Sequence, residues 1–164
     1  MKKQILGIDI GGVIIDRIND NTDTSFFGEN YLNTTAVPDA FTVISELEKR
    51  YNNNLVIVSK CGKRTEEKTR AWLEYQNFFE RTGVRKDALY FCRERYQKDG
   101  ICSELGVTGF IDDRLEVLGY LQTVSRKYLF QPNEREINRF KHLLTQVIRV
   151  ETWQGILEHE RSVI

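Results

Sequence analysis

The stretch Ile5-Leu6-Gly7-Ile8-Asp9-Ile10-Gly11-Gly12 decides how this chain is read. From Ile5 to Ile10 it is a near-continuous apolar run, the pattern of a strand covered on both faces. It delivers one carboxylate, Asp9, and then two glycines. Similar runs recur downstream: Leu55 to Val58, ending at Ser59; Ala88 to Cys92; Val107 to Ile111, ending at Asp112-Asp113; and Lys127 to Phe130. Segments of helical periodicity lie between them. Ala40, Val43, Ile44, Leu47 and Tyr51 share one face after Pro38, which suits a first-turn position. Thr65 reads as the N-cap of a second helix with the apolar face Ala71, Trp72, Tyr75, Phe78 and Phe79, closed by Gly83. Ile101, Cys102 and Leu105 mark a short helix stopped at Gly106. Leu115, Leu118 and Leu121 mark another, and Ile137, Phe140, Leu144 and Val147 a later one. The tail from Ile148 supplies a small strand and a terminal helix around Trp153 and Ile156. This alternation predicts a three-layer α/β/α sandwich with a mainly parallel sheet of five to six strands.

A length of 164 residues fits a single domain over 1–164. Lys plus Arg and Asp plus Glu both number 24, so no global charge points to nucleic acid or an anionic membrane. No apolar run approaches the ~20 residues needed to span a bilayer. The basic N-terminus has its apolar run cut at Asp9 and makes a poor signal peptide. Cys61, Cys92 and Cys102 are an odd set without CxxC spacing, which points to a reducing cytoplasm rather than a disulfide framework or a zinc site. One stretch breaks the alternation. Asp16 to Val37 is polar, with Phe26, Phe27, Tyr31 and Leu32 as its anchors, and is expected to form a flap beside the site.

In open α/β sheets, ligands bind beyond the carboxyl ends of the strands. Those ends carry Asp9, Ser59, Asp112 and Asp113. A lone Asp at a strand end is usually a turn former; three carboxylates on one rim repel each other unless a cation sits between them. Oxygen donors without His or Cys select a hard ion such as Mg²⁺. A dinucleotide-binding reading fails, because GxGxxG spacing is absent after the first strand.

The ordered set resembles the haloacid dehalogenase-like (HAD) phosphohydrolase superfamily. Its first motif, an apolar strand followed by Asp-x-Asp, is matched by Ile8-Asp9-Ile10-Gly11-Gly12-Val13-Ile14. Its second, a strand ending in Ser or Thr, is matched by Leu55 to Ser59. Its fourth, a strand ending in an acidic pair, is matched by Gly109-Phe110-Ile111-Asp112-Asp113-Arg114. Lys98 is the best-placed candidate for the intervening lysine, with Arg93 and Arg95 as substitutes. The resemblance implies that Asp9 is a nucleophile forming an aspartyl-phosphate. It implies that the Gly11 carbonyl, Asp9 and Asp112 or Asp113 hold Mg²⁺. Ser59 and Lys98 would bind the phosphoryl group, with backbone N–H groups from the Cys61-Gly62 turn.

The departure is Gly11, which stands where the family has the Asp that protonates the leaving oxygen. General acid–base help is worth about 10²–10⁴-fold. The implied function is therefore a Mg²⁺-dependent phosphatase, impaired or specialised, and the alternative is an inactive phosphate- or protein-binding module. The gaps between motifs leave no room for a cap domain. Capless relatives often act on large substrates, so a phosphorylated protein or a nucleic-acid end is the expected partner. The Ile111-Asp112-Asp113-Arg114 ending and the Val58-Ser59 turn resemble the phosphatase domains of polynucleotide kinase-phosphatases.

Overall fold

The computed structural model describes residues 2–17 and 26–163. Among the described residues, six strands form one sheet: β1 (Leu6–Ile8), β2 (Leu55–Lys60), β3 (Leu89–Cys92), β4 (Gly109–Asp112), β5 (Arg126–Phe130) and β6 (Ile148–Val150). Their order is β3-β2-β1-β4-β5-β6 and every pairing is parallel. Leu6, Ile8, Ile57, Val58, Phe110, Ile111, Tyr128, Leu129 and Phe130 are all fully buried, which is why these strands read as unbroken apolar runs.

The connections are α1 (Ala40–Arg50), α2 (Lys63–Tyr75), α3 (Phe78–Thr82), α4 (Gln97–Leu105), α5 (Leu115–Tyr120), α6 (Glu134–Arg139) and α7 (Trp153–Val163). Right-handed crossovers send α1, α2 and α3 to one face and α4, α5 and α6 to the other. The packing agrees: α3 and α7 lie against α1, while α5 contacts α4 and α6. The α/β class and its sheet are therefore as expected.

Several local expectations shift. Pro38 precedes α1, whose N-cap is Asp39 in the left-handed region (φ 67°). Gly62, not Thr65, caps α2, and Thr65 sits within its first turn. The helix expected from Thr65 to Gly83 is two helices, because the chain turns at Asn77 (φ 55°) and leaves Tyr75 exposed. Phe140 caps the C-terminus of α6, and Leu144 belongs to the 3₁₀ segment Lys141–Gln146 that follows it.

The expected flap over 16–37 is described only in part, since 18–25 lie outside the described residues. Its second half is pinned to α2. Trp72 Nε1 donates to the Thr34 carbonyl at 2.9 Å, and Gln76 Nε2 to that of Leu32 at 2.8 Å. Phe26 is buried and packs edge-on to Tyr31, whereas Phe27 is exposed.

Between β1 and β4 the direction of the chain's crossovers reverses, and the crevice beyond such a switch point is where this fold places its ligands. Asp9 and the Asp112-Asp113 pair stand on either side of it.

Candidate active site

The turn after β1 is wound tightly. The Ile10 carbonyl accepts from the N–H groups of Val13, Ile14 and Ile15, and Gly12 N–H donates to Ile15 at 2.9 Å. Gly12 has φ 79°, a region costly for other residues. A Cβ there would also stand 2.4 Å from Asp113 Oδ2, so glycine is required twice over. From outside, buried Trp153 of α7 donates its indole N–H to the Val13 carbonyl at 2.8 Å, which braces the turn.

Asp9 projects from the end of β1, its own N–H bonded to the Ile111 carbonyl of β4 at 3.0 Å. Lys98, in the first turn of α4, reaches between the two strand ends. Its Nζ lies 3.0 Å from Asp9 Oδ1 and 2.8 Å from Asp112 Oδ2. Lys98 and Asp112 are fully buried and Asp9 nearly so. The other Asp112 oxygen accepts from the Arg114 N–H at 3.0 Å. Burial alone would push Lys98 toward neutrality, but the Asp112 and Asp9 carboxylates override it and raise its pKa. The lysine is a fixed ammonium.

One ammonium does not balance the rim. Asp9, Asp112 and Asp113 can each bring an oxygen within 4.8 Å of the others. Arg17 Nη1 approaches Asp113 Oδ2 only to 3.7 Å, from a half-exposed position. Burial, and then the charges of Asp9 and Asp112, push the Asp113 carboxyl up to about 9. Burial and Asp9 also raise Asp112, against the pull of Lys98. A site that must hold a proton to relieve its own repulsion, and that offers only oxygen ligands, suits a hard divalent cation. The donor set therefore fits Mg²⁺.

Ser59, buried at the end of β2, lines the same cleft of about 160 Å³ as Asp9, Gly11, Lys98 and Asp112. Cys61 lines it too, but its N–H is bonded to the Cys92 carbonyl at 3.0 Å. The expectation that this N–H serves a phosphate is thereby corrected: β3 has already claimed it. Gly62 caps α2 and is not among the cleft-lining residues. Arg93 is taken up by the Cys61 carbonyl and Glu66. Arg95 lines the cleft while paired with Glu116 at 2.8 Å, so neither substitutes for Lys98. Arg17 and Thr69, which no sequence pattern singles out, also line the cleft, as do Thr65, expected only as a helix cap, and Arg114, expected only as a motif neighbour.

No family model matches this sequence, and neither does any curated protein. Among solved structures the chain is similar to glucose-6-phosphate 1-dehydrogenase from Mycobacterium avium, at 14% identity and a TM-score of 0.43. The match covers 91% of this chain and spans 36% of the length of that one. A likeness of this depth leaves the chemistry to the side chains. Among the described residues, no helix is long and apolar enough to cross a membrane.

Proposed function

We propose that this chain is a Mg²⁺-dependent phosphohydrolase of the HAD-like kind, working through an aspartyl-phosphate on Asp9. The observation that carries the reading is the Lys98 ammonium, buried and held between Asp9 and Asp112 at a sheet switch point lined also by Ser59.

Asp9 is the nucleophile: a carboxylate oxygen attacks phosphorus and water later releases the phosphate. Lys98 holds that carboxylate in one orientation and offers fixed positive charge where phosphoryl charge develops. The Ser59 hydroxyl would donate to a phosphoryl oxygen. Asp9, Asp112 and Asp113, with the Gly11 carbonyl, would hold the cation. Bound there, Mg²⁺ supplies the charge that lets one anion approach another. Arg17, Lys60, Arg95 and Arg114 at the cleft give an anionic substrate a cationic approach. Among the described residues no cap domain is built beside the rim, which would suit a phosphorylated group carried on a protein or a nucleic-acid end.

The absence of a side chain at Gly11 favours a second reading, a phosphate-binding module without turnover. Hydrolysis of p-nitrophenyl phosphate separates the two. The proposal expects Mg²⁺-dependent turnover that Asp9→Asn reduces to background. Turnover indifferent to both metal and Asp9→Asn overturns the mechanism, and phosphate binding without turnover selects the module.

A further inference from the structure

Position 11 is not simply vacant. An ideal Cβ built on Gly11 would stand 2.5 Å from Arg17 Nη2, with Nε and Cζ of the same guanidinium at 3.4 Å. The volume that a side chain at position 11 would enter is filled by the head group of Arg17. Its other terminal nitrogen, Nη1, leans toward Asp113 Oδ2 at 3.7 Å. The side chain is half exposed and lines the same cleft as Asp9. With glycine at position 11, the guanidinium occupies this space without displacement.

An arginine in this place cannot act as an acid, because a guanidinium does not lose its proton in proteins. What it offers is permanent charge and a fork of N–H donors for an oxyanion. We propose that Arg17 receives the leaving group. The substrates of this site are then phosphates whose leaving oxygen departs as an anion: acyl phosphates first, and aryl phosphates in the assay tube. The inference rests on Asp9 acting as the phosphoryl acceptor.

The step balances without a general acid. An Asp9 oxygen bonds to phosphorus, and the bond from phosphorus to the leaving oxygen breaks. Its electron pair stays on that oxygen, which leaves as a carboxylate or phenolate beside Arg17. Water then attacks phosphorus, the bond to Asp9 breaks, the Asp9 carboxylate is restored, and both protons of the water remain on the released phosphate. An alkyl phosphate would have to expel an alkoxide by this route, which a guanidinium stabilises too little.

The test is a series of phosphates graded by leaving-group acidity: acetyl phosphate, substituted phenyl phosphates and methyl phosphate, with Mg²⁺ present. The native protein should turn over the acyl and acidic aryl members, with methyl phosphate at least about 10²-fold slower in kcat/KM. Arg17→Gln should lower kcat/KM on p-nitrophenyl phosphate by about 10²-fold or more. It should also steepen the dependence on leaving-group pKa, and Arg17→Lys should restore part of the loss. A purely structural arginine would lower all members alike and leave the slope unchanged. Gly11→Asp combined with Arg17→Ala exchanges the cation for an acid and should narrow the gap between aryl and alkyl esters. Methyl phosphate turned over within tenfold of p-nitrophenyl phosphate, or an unchanged slope in Arg17→Gln, overturns the role of Arg17 while leaving Asp9 chemistry intact. Turnover of no member above the Asp9→Asn background overturns the parent reading itself, a different and recognisable result.

Discussion

Two buried ionic clusters lie at opposite ends of this sheet, and they are built on opposite principles. At the amino end of β5, Glu160 of α7 is wholly buried, yet every demand it makes is met. Arg126 Nε lies 3.0 Å from Glu160 Oε2, the Tyr128 hydroxyl donates to Oε2 at 2.7 Å, and the Tyr51 hydroxyl donates to Oε1. Arg126 Nη2 also donates to the Tyr51 oxygen at 2.6 Å. One negative charge meets one positive charge, and two neutral phenols fill the remaining lone pairs. Burial and the Glu160 carboxylate raise both phenol pKa values, so the phenols stay donors. The cluster ties α1 and α7 to the sheet, although the buried Arg126 Nε meets Glu160 as a charge contact without a hydrogen bond. At the carboxyl ends, three carboxylates face one buried ammonium and one half-exposed guanidinium. A fold that needed the second cluster only for stability would balance it like the first. The imbalance supports the proposed reading, in which the rim takes a divalent cation.

The strongest way to break this comparison is Lys98→Met. It leaves Asp112 buried without a countercharge and should cost about 3–5 kcal/mol in denaturant unfolding. Asp112→Asn in the same chain should recover part of that loss. A loss below about 1 kcal/mol would show that the Lys98 bridge does not hold the rim together.

Glu160→Gln should cost less, about 1–3 kcal/mol, because the phenols keep partial hydrogen bonding to the amide. Its turnover should match the native protein's, since the cluster lies at the far end of the strands. A change in kcat with Glu160→Gln would erase the division between the two ends.

The third prediction concerns pH. Asp113 has its native pKa raised far above that of an unfolded chain, so its stabilising proton is present at low pH and is lost as pH rises toward about 9. Metal-free protein should therefore lose stability across the window from about pH 4 to pH 9. Asp113→Asn should flatten that slope, and saturating Mg²⁺ should do the same while releasing a proton on binding. Denaturant midpoints across the window check it; an unchanged slope in Asp113→Asn counts against the rim's charge imbalance.

The smallest effect is expected at Glu48, a buried carboxylate of α1 whose two oxygens have no hydrogen-bond partner among the described residues. Burial raises its pKa, with only the charge of Arg85 and a backbone contact at Leu55 opposing. It has neither the satisfied shell of Glu160 nor the cation-ready company of Asp113. Glu48→Leu should raise stability by about 1 kcal/mol at pH 8 and by less at pH 4, where the carboxyl is already neutral.

What the sequence disclosed follows from which interactions are local. The strands were legible because burial on both faces leaves no polar residue to interrupt Leu55 to Val58 or Ile111. Asp9, Ser59 and Asp112 were legible because each is the first polar residue after such a run. Lys98 was reachable only through the resemblance. Gln97 and Asp99 flank it with polarity, so its own neighbourhood gives no sign that its ammonium is buried. The break at Asn77 was hidden because apolar spacing continues across it, and only the backbone angle tells the two helices apart. Cys61 was misjudged because its N–H partner lies on another strand. Arg17 was invisible for the same kind of reason. Its position over Gly11 depends on the turn that returns Ile15 to pair with Gly11, a closure no local pattern announces.

Rapid quenching of the protein during turnover of acetyl phosphate with Mg²⁺, followed by peptide mass mapping, puts the nucleophile itself on view. The account predicts a phosphoryl adduct on the peptide containing Asp9, labile to hydroxylamine and absent from Asp9→Asn. Turnover that proceeds with no adduct, or an adduct on any other residue, would contradict it.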